Sequence, residues 1–193
     1  AVFLEASVAF AWASPDPEAH RHIKPRFERL TGWIVDALQR LDLDARVGEV
    51  PGEYCPGEYS VNIGGRVKVM GVGQRVIRGG AHVGGVLTVA QTDGLREILL
   101  PVYEALELEF RPETAGGVAD FDATLTPDHV IQALIEAVEA SGFECATATF
   151  DRTIETAAEA LVPLHHPRSA TQGSATIRTA GGKAILNPDG DPS

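Results

Sequence analysis

Two side chains able to do covalent chemistry lie close together in the sequence. Cys55 stands in the turn-like string Tyr54-Cys55-Pro56-Gly57, and Lys68 follows in Arg66-Val67-Lys68-Val69-Met70. A cysteine reacts as its thiolate, and nearby lysine or arginine favours that form. An ammonium group can polarise an acyl carbonyl and stabilise the charge that develops in acyl transfer. Each residue also has an ordinary reading. A lone cysteine can be a small buried hydrophobe, and a lysine on a partly apolar strand can snorkel at an edge. Cys145, the other cysteine, reads as core.

Charge distribution marks the same region. No acidic residue occurs between Glu58 and Asp93, although the chain holds 27 Asp and Glu and a formal net charge of -11. The window carries Arg66, Lys68, Arg75, Arg78 and His82. It also carries the glycine pairs Gly64-Gly65, Gly79-Gly80 and Gly84-Gly85, together with Gly71 and Gly73. Glycines allow close backbone approach and basic side chains neutralise an anion, so the window predicts an anion pocket. The alternative is a twisted, glycine-relieved sheet with solvated arginines. No G-x-x-x-x-G-K-S/T loop, G-x-G-x-x-G run or G-x-S-x-G elbow is present. His20 with His22, and His165 with His166, lack partners at metal-ligand spacing, so they read as solvated surface and no metal site is expected.

The elements that must position these residues follow from periodicity. Residues 2–13 read as one or two strands, and 15–18 as a proline turn. Phe27, Leu30, Ile34, Leu38 and Leu41 recur at three or four, which predicts a helix over 25–43. A short strand is expected at 47–50. Residues 59–63 and 66–70 flank Gly64-Gly65 as a hairpin. In that register Ile63 faces Arg66, Val61 faces Lys68, and Lys68 shares a sheet face with Tyr59, Val61 and Met70. A strand over 82–90 and a helix over 93–108 follow. Thr126 caps a third helix, 146–150 is a possible strand, and Asp151 caps a last short helix. Gly181-Gly182 could turn a small hairpin. The fold class is α/β in the α+β sense, a mixed and largely antiparallel sheet with flanking helices. The catalytic domain is expected over 1–162, with a mobile polar tail over 163–193.

Composition bounds the function. Hydrophobic residues at 44% and charged residues at 22% are globular values. The acidic balance argues against nucleic acid as a partner. No apolar run is long enough to span a bilayer, and no basic-then-apolar leader opens the chain. Two distant cysteines fit a reducing, cytoplasmic setting. The chain opens directly in an apolar, strand-like run, which predicts a missing N-terminal part.

The strings Tyr54-Cys55-Pro56-Gly57-Glu58-Tyr59-Ser60-Val61-Asn62 and Gly65-Arg66-Val67-Lys68-Val69-Met70-Gly71-Val72-Gly73-Gln74-Arg75 resemble the lipoate–protein ligase and octanoyltransferase family. The likeness extends less tightly over 78–86 and through 95–113. It implies a biotin/lipoate protein ligase catalytic domain that attaches lipoyl or octanoyl groups to lysines of lipoyl-domain proteins. Such acceptors are the glycine cleavage H protein or the E2 type of 2-oxoacid dehydrogenases. Lys68 matches the family's essential lysine, and Cys55 resembles the nucleophile that some transferases carry. Gly71, Gly73, Gln74, Arg75 and Arg78 are implied to bind the acyl or nucleotide group. A ligase would need ATP and Mg2+, whereas a transferase would need neither and would take its acyl group from an acyl carrier protein. Family members carry a glycine-rich run before the point where Ala1-Val2-Phe3 begins, and this sequence does not show it. That departure keeps a second expectation open, a non-catalytic acyl- or cofactor-binding module.

Overall fold

The computed structural model describes residues 6–165 together with 179–180 and 183–184. The chain forms two compact units, Ala1–Ala146 and Thr147–Ser193. In the first unit, strand β1 (Ser7–Pro15) leads to helix α1 (Ile23–Arg40), then to β2 (Ala45–Val47), β3 (Val61–Ile63), β4 (Val67–Ile77) and β5 (Gly80–Thr88). Helices α2 (Thr92–Ala105) and α3 (Pro127–Ala140) complete it. The five strands form one antiparallel sheet in the order β1-β5-β4-β3-β2. The mixed α/β class with a largely antiparallel sheet is therefore observed. No described helix is long and apolar enough to cross a membrane.

One face of the sheet carries the main core. Leu30, Trp33, Ile34, Ala37 and Leu38 of α1 are buried at helical spacing. Ile34 and Leu38 pack with Val8, Val61, Met70, Leu87 and Val130. Helices α1 and α3 meet through Ala37, Ala133 and Ala137, whose small side chains let the backbones approach closely. Thr126 caps α3 as expected, its hydroxyl accepting from the His129 N–H at 3.4 Å. Trp12 of β1 packs on Trp33 of α1 with ring centroids 5.1 Å apart, and Phe143 meets Trp33 edge-on.

Glycines are required where the strands crowd. A Cβ on Gly85 would lie 2.2 Å from the Gly71 carbonyl oxygen, and one on Gly84 would lie 2.6 Å from that of Phe10.

The β3–β4 hairpin differs from the expected register. Gly64 and Gly65 both take positive φ, at 63° and 69°. Arg66 joins them in the loop, so Ile63 pairs with Val67 rather than with Arg66. Lys68 then faces Asn62, and an irregularity in the ladder makes Val61 face Met70. The extra residue on β4 is Val69, and a bulge of this kind reverses the alternation of side chains. Met70 enters the core with Val61 and Leu87, while Lys68 turns to the opposite face beside Gly71.

Further differences are local. The strand expected at 47–50 lies at Ala45–Val47, because Val50 is buried in a turn. Strand β4 runs on to Ile77 and turns at Arg78-Gly79 into β5, a long hairpin that the reading of 66–70 as a complete strand missed. Residues 143–150 form no strand and are exposed, since no neighbouring strand pairs with them. Cys145 is accordingly exposed rather than core.

In the second unit, Asp151 caps helix α4 (Arg152–His165), accepting from the N–H groups of Thr153 and Ile154 at 2.7 and 3.0 Å. Strands β6 (Thr179–Ala180) and β7 (Lys183–Ala184) pair antiparallel. The expectations for residues 2–5, for Gly181-Gly182 and for most of the tail fall outside the described residues, as does His166.

Candidate active site

The segment between β2 and β3 folds around a buried carboxylate. Glu53 has no exposed side-chain surface. Its Oε2 accepts from the Val50 N–H at 3.0 Å. Its Oε1 accepts from the Gly57 N–H at 3.1 Å, the Ser60 hydroxyl at 2.6 Å and the Lys68 ammonium at 3.1 Å. The Lys68 side chain, 1% exposed, also donates to the carbonyls of Tyr54 at 2.9 Å and Cys55 at 2.7 Å. Three acceptors thus match its three N–H donors. The Tyr54 ring lies 4.8 Å from the same ammonium, a cation–π contact.

Cys55 is exposed and adopts φ +42°, a left-handed conformation that costs about 1–3 kcal/mol for a residue other than glycine. Its N–H donates to the Tyr103 hydroxyl oxygen at 2.5 Å, and that hydroxyl donates to Cys55 Sγ at 3.8 Å. Burial raises the pKa of Tyr103, so its hydroxyl keeps its proton across the physiological range. Tyr54 is pushed up to about 12, first by burial and then by the charges at Cys55 and Glu53.

Cys55 and Lys68 both line a cavity of about 990 Å³. The cavity lies on the sheet face opposite the main core, against the inner side of α2. Strands β1, β4 and β5 form one wall, with Gly71, Gly73, Gly84, Gly85 and Val86 among its residues. Leu95, Leu99 and Val102 of α2 with Leu106 just past its end form another, and the segment from Tyr54 to Ser60 closes a third side. Phe27 stacks on Tyr59 at 4.8 Å along the lining. The walls are predominantly apolar, as a cleft for a hydrocarbon chain requires.

The structure brings together only part of the set that sequence singled out. Cys55, Lys68, Gly71 and Gly73 share the cavity. Gln74, Arg75 and Arg78 do not line it. Strand alternation carries Gln74 to the other face, where it accepts from Arg26 at 2.6 Å and donates to the Ile23 carbonyl at 3.0 Å. Arg75 lies opposite His82 near the far end of the β4–β5 hairpin, and Arg78 sits at its tip. A strand as long as β4 extends about 33 Å, so Arg75 and Arg78 near its end lie far from Lys68 near its start, and the basic side chains of the acid-free window do not all meet in this cavity. Sequence reasoning missed Glu53 and Tyr103 as members of the site. Tyr103 had a visible signal, since it repeats the helical spacing of Leu95 and Leu99 that faces the cavity.

These residues do not fit a metal–triphosphate group. Among the described residues, Lys68 and His82 are the only basic side chains on the cavity, and Lys68 has all its donors engaged. Among the described residues no group of three His, Cys, Asp or Glu could hold a metal ion.

Comparison with known proteins agrees with this architecture. Residues 1–140 match the model of the lipoyl protein ligase A/B catalytic domain. Over 79 residues the chain is 38% identical to an octanoyl-GcvH:protein N-octanoyltransferase of Exiguobacterium sp., covering 40% of this chain and 28% of that protein. The Geobacillus kaustophilus protein of the same name is 31% identical over 106 residues, covering 54% and 37%. The chain thus spans less than half the length of these curated relatives. Its fold resembles a lipoate protein ligase of T. acidophilum solved with bound lipoic acid, with a TM-score of 0.66 and 20% identity over 83% of this chain and 62% of that one. A catalytic-domain match over most of the sequence, on a fold whose β4 lysine and β2–β3 segment thiol line one apolar cleft, places this chain in the lipoyl protein ligase A/B catalytic domain family.

Proposed function

We propose that this domain transfers an octanoyl or lipoyl group to a protein lysine through a thioester on Cys55. The observation that carries the reading is the exposed Cys55 thiol on the wall of an apolar 990 Å³ cavity, hydrogen-bonded to a tyrosine that holds its proton. The curated relatives are named for octanoyl transfer between proteins, which supports the same chemistry here.

The chain's own residues support each step. The acyl tail lies along Leu95, Leu99, Val102 and Leu106, which leaves its carbonyl carbon near Cys55. The Cys55 thiolate attacks that carbon and a C–S bond forms. The bond to the donor breaks, and the leaving sulfur or nitrogen takes a proton from solvent and departs as the thiol or amine. An acceptor lysine amine then attacks the enzyme thioester, forms the amide, gives up a proton and regenerates the thiolate. Tyr103 donates a hydrogen bond to sulfur and favours the thiolate before attack and on release. Lys68 holds the Cys55 segment. Its engaged donors support a positioning role, with direct polarisation of the acyl carbonyl requiring one of those bonds to be exchanged.

Donor and acceptor follow from this chemistry. The donor carries its acyl group on a protein, as the thioester of an acyl carrier protein or as the octanoyl-lysine of GcvH. The acceptor is a lipoyl-domain protein of the H-protein or E2 type. The poor fit to a triphosphate favours transfer over ATP-dependent ligation, and Cys55 at the cavity favours an enzyme over a non-catalytic binding module. The test uses the full-length protein, an apo lipoyl domain and either octanoyl donor. Intact mass should show an octanoyl adduct on Cys55 and an octanoylated acceptor, with both absent in Cys55→Ala. Wild-type product from Cys55→Ala, or product that requires octanoate and ATP, overturns the proposal.

A further inference from the structure

The cavity explains where an acyl chain lies, but not why Cys55 holds an unfavourable backbone conformation. A residue before proline prefers extended φ/ψ, and Pro56 follows Cys55, so the positive φ is disfavoured twice over. Lys68 supplies one restraint. Its ammonium binds the carbonyls of Tyr54 and Cys55, one from each peptide plane flanking the Cys55 α-carbon. The relative orientation of those planes is set by φ and ψ at Cys55. Holding both to one atom therefore fixes the direction of the Cα–Cβ bond from which the thiol projects, and the Tyr103 hydroxyl meets Sγ at the end of it.

The ammonium must itself be held, and Glu53 does this. Neutralising Lys68 would need one contact. Glu53 makes four, and three of them tie Val50, Gly57 and Ser60 into the same fold of chain. Taking a carboxylate and an ammonium out of water costs several kcal/mol per ion, so a buried pair of this kind is poor evidence of stabilisation. Its product here is geometry.

We infer that Glu53 is a positioning residue, which acts through Lys68 to hold the Cys55 thiol in its attacking orientation. This inference rests on the Cys55 thioester reading above. Glu53→Gln preserves size while removing the charge, and its amide group presents a donor where the Val50 N–H or the Lys68 ammonium needs an acceptor.

Rapid-mixing measurement of enzyme acylation by an octanoyl-carrier protein separates the roles. In Glu53→Gln the acylation rate constant should fall about 100-fold, the cost of misplacing a reacting group by about 1 Å. The burst amplitude and the KM for the donor should stay near wild type. A merely structural role would instead lower the amplitude and leave the rate constant unchanged, which overturns the inference. The double variant Glu53→Gln/Lys68→Met removes both buried charges. It should regain thermal stability lost in Glu53→Gln without regaining the acylation rate. A wild-type rate constant in either variant also overturns the inference. Failure of the wild-type protein to form any Cys55 thioester removes the transfer reading instead, and this inference with it.

Discussion

Chemistry at the single-residue level turns on what surrounds one sulfur atom. Tyr103 touches Cys55 twice, its hydroxyl oxygen accepting from the Cys55 N–H and its O–H donating a hydrogen bond to Sγ. Hydrogen bonds to a charged group contribute about 1.5–3 kcal/mol, so Tyr103→Phe should slow acyl transfer about 10- to 100-fold. Steady-state kcat with an octanoyl donor measures this, and KM should change little because the ring remains in the cavity wall. Cys55 and Lys68 were legible in the sequence because a thiol and an ammonium are chemically conspicuous. Glu53 was not. An acid beside a tyrosine in a glycine- and proline-rich turn looks like ordinary solvated surface. Its burial follows from the chain closing over it, and its partner Lys68 lies beyond an intervening strand. Arg75 and Arg78 lie off the cavity for the complementary reason: composition reports that basic residues are near one another in sequence, and an extended strand then separates them from Lys68.

Among the elements, the β3–β4–β5 region shows what strand periodicity can and cannot reveal. Alternation identified the strands, and Gly64-Gly65 identified the turn. The third loop residue, Arg66, and the bulge at Val69 were invisible, because both are decisions about pairing rather than propensity. Without the bulge Lys68 would share the face of Met70 and be buried among Val61 and Leu87, with no carboxylate beside it. The glycines of β5 are required by the same close pairing. Gly85→Ala would bring a methyl group against the Gly71 carbonyl and the Phe10 ring. Overpacking of this kind costs about 1–3 kcal/mol, and chemical denaturation of the variant should show it as a lower midpoint.

For the molecule as a whole, the described lining of the cavity lies in the unit that ends at Ala146, and the family match ends at residue 140. Composition placed a boundary at 163 because the sequence turns polar there. The compact unit ends at Ala146, and residues 146–150, whose apolar side chains read as a strand, find no partner there. Phe150 is 75% exposed within this irregular stretch. Limited digestion with chymotrypsin should therefore cut first near Phe150, and mass spectrometry should recover a resistant N-terminal fragment that ends there. Helix α4, whose described side chains are all exposed, should be lost early.

The packing of Trp12 against Trp33 has a spectroscopic consequence. The chain has only these two indoles, and they pack with centroids 5.1 Å apart and planes tilted by 58° between β1 and α1. Their coupled transitions act as one chromophore pair. Fluorescence and near-ultraviolet dichroism therefore sense whether strand and helix are joined, on the side of the sheet away from the thiol.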